Sequence, residues 1–102
     1  MKQIKEIKND LIVIRNYYDI LKIFNGSNKV IMAEDTKEII NEYESVITHA
    51  PKRIQNIYET IYKSGKTKKE ISNEIHRSLT FVKELDREFL EYLFECFKEE
   101  KR

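Results

Sequence analysis

Residues that break helices are scarce in this sequence, which has two glycines and one proline among 102 residues. Because glycine and proline disfavour a helix interior by about 1 and 3 kcal/mol relative to alanine, their scarcity removes the main obstacle to long helices. The abundant lysine, glutamate and isoleucine residues favour helices over strands. The length and the 40% apolar content fit one compact all-α domain.

Cysteine is also scarce, since Cys96 is the only one, and this excludes an intramolecular disulfide. No cluster of histidine and cysteine has the spacing of a zinc site, so we expect neither a metal nor a cofactor. The longest apolar runs, Leu11–Ile14 and Val30–Ala33, are far too short to span a bilayer. The first ten residues are rich in charge, unlike a signal peptide. We therefore expect a cytoplasmic protein without a membrane partner.

The sequence has little net charge, +1 at neutral pH, but its charges are unevenly distributed. Residues 1–50 carry seven basic and eight acidic side chains, for a net charge of −1. Residues 63–87 carry seven basic and four acidic side chains, for a net charge of +3. A local basic excess is typical of a surface that binds nucleic acid, so the second half of the chain is the first place to look for function.

A first helix is predicted over about residues 2–24. Its apolar residues recur at alternating spacings of three and four, as in a heptad repeat, and they are Ile4, Ile7, Leu11, Ile14, Tyr18 and Leu21. Apolar residues on its other faces are Ile12, Val13, Tyr17, Ile20 and Ile23. A helix that is apolar on several sides must be buried on several sides. Its second half is therefore expected either in the centre of the fold or in the interface of a homodimer.

Helix breakers divide the chain up to residue 65. Residues 25–28, with the sequence Asn-Gly-Ser-Asn, predict a turn, and residues 30–32 predict an extended bridge. A second helix is predicted from Glu34 to Thr48. Pro51 suits the first position of a third helix, because its missing N–H would be unpaired there, and Ser64-Gly65 is expected to end that helix.

A short helix, a turn and a longer helix are predicted next, which is the order of a helix-turn-helix. Thr67 and Glu70 predict a capping box for a helix over Thr67–Ile75. His76 and Arg77 form the predicted turn, and Ser78 is expected to cap a last helix from Leu79 to about Lys98. The residues expected to pack the two helices together are Ile71, Ser72, Ile75, Val82 and Leu85.

The last helix divides into two faces at about 100° per residue. Its core face is expected to contain Val82, Leu85, Phe89, Leu93 and Cys96. The first turns of a recognition helix enter the major groove, and the residues expected to contact bases are Ser78, Thr80, Lys83, Glu84 and Arg87. The residues expected to contact the DNA backbone are Lys66, Thr67, Lys68, Lys69 and Arg77. The apolar side chains expected to contact a protein are Leu79, Phe81 and Phe94.

Residues 51–90 resemble the helix-turn-helix of bacterial sigma factor region 4. The matching elements are Ala50-Pro51-Lys52-Arg53, Ser64-Gly65, Glu70-Ile71-Ser72 and Ser78-Leu79-Thr80-Phe81-Val82. The small size and the upstream helices are similar to phage late-gene activators of the ArpU and RinA type. The sequence departs from the pattern at His76, where glycine is usual, and at Arg77, where an apolar residue is common. The resemblance implies a transcriptional regulator that binds double-stranded DNA, contacts RNA polymerase and acts in a bacterial host cell.

We therefore predict about five helices in a single compact domain. Residues 1–50 would form a supporting or dimerising region, and residues 51–102 the helix-turn-helix region that binds DNA. No catalytic constellation stands out, so we do not expect an enzyme. The alternative is a small helical protein-interaction module, such as a phage-encoded inhibitor or modulator of a host protein, for which Leu79, Phe81 and Phe94 are the expected contacts.

Overall fold

The computed structural model describes residues 2–23 and 33–99, and within these ranges it contains five helices and no strand. The helices are α1 (Ile4–Ile23), α2 (Glu34–Thr48), α3 (Lys52–Ile57), α4 (Lys68–Glu74) and α5 (Leu79–Glu99), and α3 continues directly as a π-helical turn over Tyr58–Tyr62. The all-helical prediction is confirmed, with helix ends that agree to within about two residues. The turn and the bridge predicted at residues 25–28 and 30–32 lie outside the described residues.

A single apolar core contains residues from every one of these helices. In α1 the central residues of the heptad, Ile7, Leu11 and Ile14, are buried, so this part of the repeat packs within the chain. Ile12 and Ile20 on other faces of α1 remain 57% and 43% exposed. The second half of α1 is therefore buried on one side, where Ile14 lies in the core, and exposed on another, and the homodimer interface stays a prediction.

The third helix changes its geometry halfway along. Pro51 is the N-cap residue, one position before the helix rather than its first residue. At the other end the N–H of Lys63 donates to the carbonyl of Tyr58 at 3.2 Å, five residues back, as in a π-helix. In this wider turn the rings of Tyr58 and Tyr62 both lie against Phe89, with centroids 5.9 and 5.3 Å away. The turn thus directs two aromatic rings onto α5.

Tyrosine hydroxyls at the margin of the core donate hydrogen bonds to carboxylates on neighbouring helices. The Tyr43 hydroxyl donates to Asp10 at 2.7 Å, and those of Tyr58 and Tyr18 both donate to Glu44, at 2.8 and 2.6 Å. Burial and the nearby carboxylates raise the pKa values of these three tyrosines. They therefore remain protonated donors at neutral pH and connect α1 to α2 and α2 to the π-helical turn.

The orientation of α5 is set by the residues that it buries, namely Val82, Phe89, Leu93 and Phe97. Cys96 and Leu85, which were predicted on the core face, are only partly buried. The buried face is thus rotated slightly toward Phe97 relative to the prediction. The Arg53 guanidinium makes two hydrogen bonds to the Glu88 carboxylate, at 2.6 and 2.9 Å. This pair fixes the middle of α5 to the start of α3.

Candidate nucleic-acid interface

The loop before α4 is held by cations from α1. The Arg15 guanidinium donates to the carbonyl of Lys66 at 2.9 Å, and the Lys22 ammonium donates to the carbonyl of Gly65 at 3.2 Å. Gly65 has a φ of +71°, and a Cβ there would lie 2.5 Å from Cδ of Lys22. Glycine meets both requirements because it has no Cβ. Helix α1 thereby supports the loop from which α4 begins.

The predicted capping box at the start of α4 is confirmed. The N–H of Glu70 donates to Oγ1 of Thr67 at 3.1 Å, and the N–H of Thr67 donates to the Glu70 carboxylate at 2.8 Å. The second of these bonds favours the ionised carboxylate and holds the pKa of Glu70 below its ordinary value. Thr67, expected at the DNA backbone, therefore uses its side chain and its N–H to start the helix.

The turn between α4 and α5 closes with His76 in the left-handed region, at a φ of +58°. The N–H of Arg77 donates to the carbonyl of Ser72 at 3.0 Å, and that of His76 to the carbonyl of Asn73 at 3.4 Å. These two bonds form a Schellman motif with His76 at the position where glycine is most common. The expected left-handed turn at His76 is confirmed.

Helix α5 begins as expected at Ser78, whose Oγ accepts a hydrogen bond from the N–H of Phe81 at 3.1 Å. Its first turns pack against α4 through the buried residues Val82, Ile71 and Ser72. The opposite side of these turns carries a polar stripe. All five residues expected to contact bases are exposed, and they are Ser78, Thr80, Lys83, Glu84 and Arg87.

Two of the lysines expected at the DNA backbone already have acidic partners. The Lys66 ammonium lies 2.6 Å from the Glu74 carboxylate, and the Lys68 ammonium lies 2.7 Å from that of Asp86. Asp86 also accepts a hydrogen bond from the Tyr62 hydroxyl. Burial first, and then the Asp86 carboxylate, raises the pKa of Tyr62, so that it remains a donor. Lys68 and Asp86 thus fix the start of α4 to α5 and to the π-helical turn.

The other two expected backbone cations, Lys69 and Arg77, are exposed. In residues 2–23 and 33–99, neither of them nor Lys83 or Arg87 forms an ion pair. The Arg77 guanidinium lies over the Phe81 ring, 4.7 Å from its centroid. These four side chains are therefore the cations near the α4–α5 turn that carry no acidic partner in the described chain.

The three residues expected to contact a protein differ in accessibility. Leu79 is 39% exposed. Phe81 and Phe94 are both only partly exposed, and Phe94 packs against the apolar core. Leu79 is therefore the most accessible of the three, and the protein contact stays a prediction.

Two cations beside the predicted interface were missed by the sequence reasoning. Lys8 and Arg15 of α1 line a cleft together with Lys68 of α4. The signal was present, because Lys8, Arg15 and Lys22 are spaced seven apart and so lie on one side of a helix. This basic repeat lies on α1 beside the apolar heptad repeat.

Comparison with protein-family models, curated proteins and solved structures gave no match for this chain. In the described ranges, none of the helices has the length and apolar character needed to cross a membrane. No group of three or more histidine, cysteine, aspartate or glutamate residues in the same part of the chain is arranged to hold a metal ion.

Proposed function

We propose that this protein is a sequence-specific DNA-binding regulator of transcription, in which α4, the turn at His76 and α5 form a helix-turn-helix. The observation that carries the proposal is the exposed polar stripe on the first turns of α5, with Lys83 and Arg87 one helical turn apart. Lysine and arginine recognise guanine through its O6 and N7 atoms in the major groove. As a working model, the protein is a late-gene activator of a phage or mobile element, similar to sigma factor region 4.

The surroundings of the stripe support this proposal. Lys69 in the first turn of α4 and Arg77 in the turn between α4 and α5 are both exposed, and such cations would contact phosphates and set the register on the duplex. Helix α1 supports this arrangement through the bonds of Arg15 and Lys22 to the loop before α4. Contact with RNA polymerase belongs to the same proposal, with Leu79 as the exposed apolar residue beside the stripe.

A homodimer through α1 is also part of this proposal. Ile20 and Ile23, three residues apart at the end of α1, are 43% and 76% exposed, and a contiguous exposed apolar patch can mark an interaction surface. Two copies of a helix-turn-helix would bind two half-sites, and this raises the affinity well above that of one copy. A dimer would bind an operator that is itself approximately palindromic.

Selection from random duplex DNA, at a low and a high salt concentration, tests the proposal directly. The intact chain should enrich one sequence motif, and Lys83→Ala/Arg87→Ala should lose that enrichment, because each base contact contributes about 1–3 kcal/mol of discrimination. The matched control is Lys37→Ala/Lys98→Ala, which removes the same charge from exposed positions on α2 and at the far end of α5. Equal loss in both variants, or no motif with the intact chain, would contradict base recognition by α5.

An apolar groove favours the alternative, a module that binds a protein partner. This groove lies between α3, its π-helical turn, α4 and α5, and it is lined by Ile57, Ile61, Ile75, Phe81 and Leu85. A stoichiometric protein complex that persists in Lys69→Glu and is lost in Phe81→Ser would support this function. Steeply salt-dependent binding to duplex DNA would argue against it.

A further inference from the structure

A cleft between α1 and α5 lies beside the proposed helix-turn-helix and is lined by cations from two helices. Lys8 and Arg15 contribute from α1 and Lys68 from the start of α4, with Asp86 as the acidic residue in its lining. Its volume is about 350 Å³, which is near the lower end of the roughly 300–1,000 Å³ of small-molecule sites. The cleft is therefore large enough for a small ligand.

The charges in this cleft do not cancel. Three cations and one carboxylate leave a net charge of +2, and the carboxylate of Asp86 is already shared between Lys68 and the Tyr62 hydroxyl. Lys8 is exposed and forms no ion pair within the part of the chain that the structure describes. A guanidinium has five N–H donors, and the described contacts of Arg15 use one, to the carbonyl of Lys66. The cleft thus presents hydrogen-bond donors and positive charge to an anion.

The rest of the cleft lining consists of apolar and aromatic side chains. Leu11 and Ile12 from α1 face Leu90 from α5, beside the Tyr62 ring, and Ile12 is 57% exposed. Small-molecule sites combine such apolar walls with a few charged groups that fix the orientation of the ligand. A ligand that suits this lining has an anionic head and an apolar body.

We propose that the α1–α5 cleft binds a small organic anion, a phosphate or carboxylate group attached to an apolar body. Its anionic head would compete with Asp86 for Lys68 and so loosen the ion pair that fixes the start of α4 to α5. The ligand would thereby act on the relative position of α4 and α5. This site does not depend on the proposed DNA binding.

Phenyl phosphate is a suitable probe, with inorganic phosphate and phenol as its two halves. Backbone amide resonances of the intact chain, followed by NMR during titration, should shift saturably at Lys8, Arg15, Lys68 and Leu90. The affinity for inorganic phosphate should be lower, and phenol should give no saturable shifts at these positions. Shifts that rise linearly, or that are spread evenly over exposed lysines such as Lys37 and Lys52, would overturn the proposal.

Two single substitutions on α1 make the test specific. Lys8→Gln should weaken phenyl phosphate binding by about three- to tenfold, because it removes one charge that faces the ligand. Lys5→Gln removes an equally exposed charge from α1 outside the lining of the cleft and should leave the affinity unchanged. Equal losses in the two variants would indicate a nonspecific charge effect and refute the site. If Lys8→Gln weakens only the binding of duplex DNA, the cleft is a DNA backbone contact and the small-anion proposal fails while DNA binding stands.

Discussion

Replacement of His76 by glycine should stabilise this protein. The φ of +58° at His76 lies in a region that costs a residue with a Cβ about 1–2 kcal/mol. Glycine avoids this cost but loses about 0.5–1 kcal/mol more conformational entropy on folding. The His76 side chain is exposed, so little packing is lost with it. The two ranges differ by about 0–1.5 kcal/mol, so His76→Gly is expected to raise the free energy of unfolding by about 0.75 kcal/mol, the middle of that range.

Urea unfolding followed by far-UV circular dichroism, at a fixed protein concentration, measures this change. The midpoint should rise while the slope stays constant, because the surface exposed on unfolding is unaffected. His49 provides a contrasting control, since it is also exposed and follows a helix, but has a φ of −98°. Glycine there costs about 0.5–1 kcal/mol of conformational entropy and also removes the contact of the imidazole with the Ser45 carbonyl, at 3.1 Å, so it should destabilise the protein. If the two variants change stability in the same direction, the left-handed conformation of His76 is not the source of strain.

Three further predictions follow from single contacts. Thr67→Ala should lower the free energy of unfolding by about 0.5–2 kcal/mol, because the capping box at the start of α4 is lost. Urea unfolding measures this change, and an unchanged midpoint would contradict the role of the cap. Arg53 holds the pKa of Glu88 below its ordinary value of 4.5, so the stability from this pair is present above about pH 4.5 and is lost as the pH falls through the lowered pKa. As the pH falls from about 6 to 3, the urea midpoint of unfolding should therefore decrease less in Arg53→Gln than in the unmodified protein. Parallel curves of midpoint against pH for the two proteins would refute the coupling. Ile20→Glu should shift a dimer toward monomer in sedimentation equilibrium without loss of helix content, and an unchanged mass would rule out α1 as the interface.

Local signals predicted the helices well because each depends on a few neighbouring residues. The cap formed by Thr67 and Glu70, the left-handed turn at His76 and the cap at Ser78 all follow from residue types at fixed short spacings. The apolar repeat of α1 predicted the core residues Ile7, Leu11 and Ile14, but of its other members Ile4 is 39% exposed and Tyr18 and Leu21 are only partly buried. Where an interaction stays within about one helical turn, sequence spacing is enough to predict it.

Features that depend on packing between distant segments could not be predicted in this way. Phe94 lies off the face of α5 that was predicted to be the core face, but in the folded chain its ring is partly buried and packs against the core. Lys68 and Asp86 are 18 residues apart, and their ion pair exists because α4 packs beside α5. Lys8 and Lys68, which line the same cleft, are even farther apart in the sequence. Such contacts require the tertiary arrangement, which helix periodicity alone does not provide.

The near-neutral net charge of the chain is compatible with DNA binding because its charges are unevenly distributed. Five cations of the described ranges are in ion pairs, namely Lys2, Arg53, Lys63, Lys66 and Lys68. Around the α4–α5 turn, four exposed cations have no such partner, and they are Lys69, Arg77, Lys83 and Arg87. Exposed cations outside ion pairs also lie elsewhere, such as Lys5, Lys37 and Lys52, so the turn is one of several places that offer positive charge. If about two to four of the side chains around the turn neutralise phosphates, the logarithm of the binding constant should fall against the logarithm of salt concentration with a slope of about −2 to −4. A much steeper slope would require further cations, and Lys22, whose ammonium contacts the loop before α4, is a candidate.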